Sequence, residues 1–386
     1  MTRMTQIRLL RPLMPHLRHP RHLRLITAFI LLWLIVPSLQ SHETLTTTVL
    51  FDREIVRILD KHCVMCHTGS GPAVSLETYE QTWLLGRKIR SEVIARHMPP
   101  WAAVPGYGQF INDNSLTLRE TQFVISWVEG LGPRNAGTVF TNIAASTARK
   151  APVRATADFG HWQFGPPNLS RPIEPNTIEP GQPDSMKRVV IDPGLTAERR
   201  LRALEYMPGD RRVVRAAFFS VQETGQWIGS WTPWYEFAEA APNTSYRLPA
   251  GGHLVAEIYY RSAKERVTDR GTLGLYFADK PAPATISDLL LEAKPAGREG
   301  RFHAEVTIPA DTRAIAIRTE PAAGVKSIEV SERRANGGTQ VLLFAKDISV
   351  EWPAPYIFKS PVLLRRGSIV SVTSYSGPVK VTVSKY

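Results

Sequence analysis

The sequence predicts a multidomain chain, a small all-α domain followed by an all-β region that reads as two β-sandwiches. Three observations carry this. The 386 residues exceed what one hydrophobic core usually holds. Apolar residues recur at helical spacing up to Gly130. Beyond a stretch rich in Gly, Ala, Thr and Pro, the period changes to the alternation of strands.

The chain begins with six arginines within its first 24 residues and no acid. The apolar run Leu25 to Val36 comes next, and then the polar Ser38, Gln40 and Ser41. This is the order of an export signal. At 12 residues the run falls short of the ~20 that span a bilayer as a helix, so residues 1–41 read as a cleaved signal peptide, with an uncleaved N-terminal anchor as the alternative. Positive charge placed before the run holds the N-terminus inside and sends the remainder of the chain across the membrane, so a periplasmic or otherwise extracytoplasmic location is expected. The formal net charge of +12 belongs half to this leader. Without it 41 basic residues face 35 acidic ones, with no dense basic stripe, which argues against nucleic-acid binding.

Asp52 is placed to cap a helix carrying Ile55, Val56, Ile58 and Leu59, which leads into Cys63-Val64-Met65-Cys66-His67. C-x-x-C-H is the attachment sequence of c-type haem. Thiols one helical turn apart reach the two vinyl groups on one edge of a porphyrin, and the adjacent histidine supplies the proximal iron ligand. A thioredoxin-like pair would need a βαβ surround, and a zinc site would need further Cys or His at ligand spacing; neither is present. These are the only two cysteines, so an exported chain of this size relies on packing and not on disulfides.

Ile89, Val93 and Ile94 mark a further helix. Met98 then emerges as second axial ligand by elimination, because it is the only methionine between Met65 and Met186, and Met65 sits between the cysteines. The prolines after it, Pro99 and Pro100, hold the chain extended and suit a loop that presents a thioether across the ring. His97 is the rival ligand, and in an extended segment only one of the two neighbours faces the iron. Arg87, Lys88 and Arg96 could meet haem propionates, with helix surface charge the preferred role for each. Thr117 and Glu120 form a capping box before Phe123, Val124, Trp127 and Val128, and Gly130 ends that helix. Residues 42–133 thus read as a small all-α cytochrome c domain with one covalent haem.

The segments Cys63-Val64-Met65-Cys66-His67, Gly71-Pro72, Ser75-Leu76-Glu77-Thr78-Tyr79, Met98-Pro99-Pro100-Trp101, Tyr107-Gly108, Asn112-Asp113, Ser115-Leu116 and Trp127-Val128-Glu129-Gly130 add a family likeness. Together, over about residues 48 to 133, they resemble the cytochrome c module fused to copper type II ascorbate-dependent monooxygenase-like domains in bacteria. The resemblance implies His67 and Met98 as the axial pair.

Residues 134–160 read as a linker. Leu254 to Tyr260, Ala314 to Ile317 and Ile369 to Val372 alternate as strands, while Asn336-Gly337 and Ser376-Gly377-Pro378 supply turns. A composition change near Lys280 to Ala284 divides a first sandwich, 161–280, from a second, 281–386. Stretches beginning at His161, Gly209, Leu254 and Ile308 resemble the paired sandwiches of the peptidylglycine monooxygenase type. At the positions where that family carries copper-binding histidines, this chain has Arg215 and Ala216, Tyr259, and Glu320 and Ala322. Only His161, His253 and His303 remain after the linker, whereas type II copper needs converging imidazoles. No copper and no monooxygenase activity are therefore expected. Trp227, Trp231, Trp234, Tyr235 and Phe237 are either a recognition surface or sandwich core.

The expectation is an exported mono-haem cytochrome that transfers electrons to a redox partner protein, without intrinsic catalysis, its sandwiches acting as docking modules. The alternatives are a redox subunit of an oxygenase or other oxidoreductase complex, and a haem-based redox or gas sensor.

Overall fold

The computed structural model describes residues 47–69, 73–135, 161–280, 282–297 and 300–386. The leader, Gly71-Pro72 and residues 136–160 of the expected linker lie outside the described residues, and so do the readings made on them. No helix among the described residues is long and apolar enough to cross a membrane.

The α-helices run Val56–His62, Tyr79–Leu84, Gly86–Ile94 and Leu118–Glu129. The last starts at the expected capping box: Thr117 Oγ1 accepts from the Glu120 N–H, and the Glu120 carboxylate accepts from the Thr117 N–H at 2.8 Å. The same device, Thr78 with Gln81, starts Tyr79–Leu84. The first helix departs from expectation. Asp52 does not cap it, because the chain enters through a π-helical turn, Phe51–Ile55, whose preceding N–H on Leu50 donates to Glu54 Oε2 at 2.9 Å. Phe51, Ile55, Leu59, Val124 and Trp127 form the shared core of these helices.

This unit extends past residue 133. The backbone N–H groups of Phe51 and Asp52 donate to the carbonyls of Pro133 and Arg134, and Arg134 is buried beside Asp52 and Glu80. Trp83, Tyr79 and Trp127 donate to the carbonyls of Leu131, Gly132 and Pro133 in turn. Gly132 is needed there: its φ is +65°, and a Cβ would lie 2.7 Å from the Trp83 ring.

Every named strand lies beyond residue 168 among the described residues. In the first sandwich a sheet ordered Leu169–Pro172, Thr272–Phe277, Arg199–Met207, Thr244–Leu248, Ala284–Thr285, with Phe237–Glu239 added to Arg199–Met207, faces a four-stranded sheet. That second sheet runs Ser185–Ile191, Leu254–Tyr260, Val214–Val221, Trp227–Trp231. Leu201, Leu204, Leu273 and Leu275 from one meet Ala217, Phe219, Ala256 and Ile258 from the other. Trp231 is fully buried in this core and Trp227 in the contact between sandwiches, so these two tryptophans are packing residues and not a recognition surface. In the second sandwich, Ser287–Glu292, Val379–Lys385, Thr312–Pro321 and Pro355–Leu364 form one sheet. Lys294–Pro295, Arg301–Thr307, Ile369–Tyr375, Ser327–Arg333 and Thr339–Lys346 form the other. Because Ala284–Thr285 still pairs with Thr244 and Ser245, the chain changes sandwich between Thr285 and Ser287, slightly beyond the expected position.

Between Pro100 and Asn114 the chain leaves the helices and straps the second sandwich. Ala103 pairs with Ala345 and Phe110 with Phe358, so both sheets of that sandwich gain edge partners. Trp101, Ala103 and Phe110 enter its core, Trp101 packing edge-on to Tyr356 at 5.2 Å. Each such aromatic contributes about 1.5–3 kcal/mol by burial. Buried Asn112 secures the far end, donating to Pro355 O at 2.7 Å and accepting from Ile357 N–H at 3.1 Å. The strap therefore belongs to the core of the second sandwich, while the helices keep a core of their own.

Candidate functional site

The helix Val56–His62 ends at Cys63, and the next turn is held by the N–H groups of Cys66 and His67 donating to the Cys63 carbonyl at 3.1 and 3.0 Å. Both thiols are thereby presented from one turn, neither in a disulfide. His67 comes next with its ring fixed: Nδ1 lies 2.9 Å from the carbonyl oxygen of Val74. A carbonyl only accepts, so Nδ1 carries the proton and Nε2 keeps its lone pair. This is the arrangement of a histidine prepared to bind a metal, with the second nitrogen anchored to the backbone.

Cys63, Cys66, His67 and Met98 line one cavity, together with His62, Ala73, Pro99, Pro100, Asn114, Trp234, Arg261 and Trp352. His97 does not line it. Its ring is exposed and turned back on Glu92, Nδ1 to Oε2 at 3.0 Å. The sequence left two neighbours as rivals, and the structure brings only Met98 to the cysteines. Met98 is steadied by its surroundings, since Pro99 is buried and Trp101 is anchored in the second sandwich. His62, which the sequence reading did not consider, is already engaged at both nitrogens, by Asn114 and by Glu120 at 3.3 Å.

The electrostatics of the site come from desolvation. It pushes the Cys63 thiol up to about 12, with Cys66 adding to the effect. It pushes Cys66 up to about 11 against the pull of Arg261, Arg211 and Arg215. Desolvation, joined by Arg261, also holds His67 below the ordinary histidine value in spite of the Val74 bond, which keeps the ring neutral. Two thiols one turn apart, a neutral imidazole with a free Nε2, and a thioether on the same apolar cavity are the donors that a covalently attached haem requires.

Beneath the site, Glu120 ties the last helix to the first. Desolvation alone would raise its carboxyl, but the donors on Thr117 and the charges of Lys61 and His62 outweigh it and bring the group down to about 2. A depressed carboxyl contributes stability that is present above its unfolded value of ~4.3 and is lost as pH falls toward the folded one. Glu120→Gln is expected to lower the urea midpoint at neutral pH. The difference from the unmutated protein should close between pH ~4.5 and ~2; a difference constant across that range would contradict the assignment.

A larger cavity, about 500 Å³, is lined by Phe218, Tyr259, Arg318 and Glu320 of the sandwiches and by His97, Met98 and Trp101. Tyr259 and Glu320 stand where the resemblance would put copper ligands. Here Arg318 pairs with Glu257 and Glu320 and lies 4.4 Å over the Phe218 ring, while Arg215 pairs with Asp184 at 2.6 Å and Glu351 at 3.2 Å. His253 meets Glu223 and His303 meets Thr373, on different sandwiches. No group of three or more His, Cys, Asp and Glu residues converges among the described residues.

No protein-family profile and no curated protein matches the sequence. Among solved structures, it is similar to the major capsid protein P2 from bacteriophage PM2, with 11% identity over 56% of this chain and 97% of that chain, at a TM-score of 0.26. Allantoicase shares 13% identity over 51% of this chain and 77% of its own, at 0.19. The PBSX exported protein XepA shares 8% over 56% and 86%, at 0.20. At such scores these likenesses carry no argument about fold or function.

Proposed function

We propose that this protein is an exported, mono-haem c-type cytochrome that carries electrons to a redox partner protein. Cys63 and Cys66 would hold the haem through thioethers, and His67 and Met98 would ligate its iron. The observation that carries the reading is the His67 ring, whose Nδ1 is spent on Val74 O while Nε2 is left for a metal, beside two thiols and Met98 on one cavity.

When bound, the haem supplies a one-electron couple. The chain's own residues do the rest. His67 and Met98 would hold the iron, and a His/Met pair would favour a raised potential. Pro99, Pro100, Trp234 and Trp352 give the site apolar walls. The region after residue 160 is all-β, and the finer reading is that it derives from a copper monooxygenase-like framework without its ligands. In that reading the sandwiches dock the cytochrome to its partner outside the cytoplasm.

The test is a reversible redox titration of the exported protein, repeated under carbon monoxide. A carrier cycles through one electron without hysteresis, and its reduced spectrum is unchanged by the gas. A reduced spectrum that shifts under carbon monoxide would sink the carrier reading and put a ligand-sensing haem in its place.

A further inference from the structure

The cavity shared by Cys63, Cys66, His67 and Met98 is completed by residues more than a hundred positions away. Trp234 and Arg261 come from the first sandwich and Trp352 from the second. Trp234 is fixed against the strap by its indole N–H, which donates to Asn112 O at 3.1 Å. Arg261 directly succeeds the strand Leu254–Tyr260, and its backbone N–H donates to Val213 O at 2.8 Å. Its guanidinium lies over the Trp352 ring at 5.8 Å.

The arginines around it are neutralised. Arg215 pairs with Asp184 and Glu351, and Arg211 with Glu236 at 2.7 Å. Arg261 is different: among the described residues no carboxylate oxygen lies within 4.0 Å of it. It is half-buried; desolvation and then Arg215 disfavour its charge, and Cys66 and Asp184 only partly offset them. A partly desolvated cation with no carboxylate in direct contact costs stability unless the space it faces supplies negative charge.

We infer that Arg261 sets the redox potential of the haem, its charge, in no direct ion pair, favouring the ferrous state. The inference rests on the haem reading above. Reduction adds one electron to the iron centre, makes the site one unit more negative, and forms or breaks no bond. A fixed cation on the cavity wall stabilises the reduced state more than the oxidised one. At the effective dielectric of ~20 suited to such sites, the effect is about tenfold in the ferric-to-ferrous equilibrium, which is ~59 mV for one electron. The first sandwich would then be part of the redox centre and not only an attached module.

Spectroelectrochemical titration of the full-length, haem-loaded protein tests this, with Arg261→Gln, Arg261→Lys and, as a control for net charge, Arg247→Gln, an exposed arginine paired with Glu198. Arg261→Gln is expected to shift the equilibrium about tenfold toward the ferric form, Arg261→Lys to keep most of the original potential, and Arg247→Gln to change nothing. Arg261→Met, which keeps the aliphatic stem over Trp352, replaces the Gln variant if the latter does not fold. An unmoved potential in Arg261→Gln or Arg261→Met would overturn the inference. So would an equal fall in Arg261→Lys, which would make the role one of packing. Absence of covalent haem in the unmutated protein would overturn the haem reading and this inference together, whereas haem present with an unmoved potential removes only the role of Arg261.

Discussion

Cys63→Ala combined with Cys66→Ala is expected to leave the exported protein with no covalently bound haem: no haem-stained band after denaturing electrophoresis and no visible absorption that survives acid-acetone extraction. The expectation comes from chemistry and position. Each thioether needs a thiol, these are the only cysteines in the chain, and both line the cavity. A single replacement should leave one thioether and a haem that is retained but altered in spectrum, since His67 would still bind from Nε2. Retained covalent haem in the double variant would require attachment at some other side chain and would remove the basis of the site.

Met98→Ala is the second large effect. Methionine raises the potential of a haem that shares a histidine on the other side. Its loss is expected to shift the ferric-to-ferrous equilibrium at least a hundredfold toward ferric, ~120 mV for one electron. It should also abolish the far-red sulfur-to-iron band and admit carbon monoxide to the ferrous form. His97→Ala separates the two neighbours. His97 is exposed and bound to Glu92, so its removal should leave the band and the potential in place. If the unmutated protein lacked the band, and His97→Ala moved the potential while Met98→Ala did not, the axial assignment would be reversed.

Local signals in the sequence are legible where a few adjacent residues determine the outcome. The capping box at Thr117 and Glu120 forms as its spacing demands, and the same logic applied to Thr78 and Gln81 would have found the helix Tyr79–Leu84. Leu254–Tyr260 is a strand with a buried alternation because one face meets the first core and the other lies toward the second sandwich. Asn336-Gly337 turns between Ser327–Arg333 and Thr339–Lys346, with Gly337 at φ +86°. In the turn at Ser376-Gly377, Ser376 and not the glycine takes the positive φ.

The features that could not be read depend on contacts distant in sequence. Asp52 has the right chemistry for a cap, but Glu54 reaches Leu50 first and the chain winds into a π turn. Trp101 and Phe110 read as residues of the helical domain, and they serve the core of a sandwich that begins about two hundred residues later. Arg87, Lys88 and Arg96, read chiefly as helix surface charge, are exposed, and the cation that lines the cavity of the cysteines is Arg261. No spacing rule reaches across two domains. The cysteine motif stands out because it occupies five consecutive residues, Met98 because methionines are scarce in this part of the chain, and the structure sets both on one cavity.

The central claim is one covalent haem on Cys63 and Cys66. It is tested most directly by measuring haem, iron and copper per chain in the full-length protein produced together with a cytochrome c maturation system. One covalent haem and one iron per chain, without stoichiometric copper, is the result this account predicts. An exported, folded chain that carries no haem, or that carries copper in proportion to protein, would contradict it.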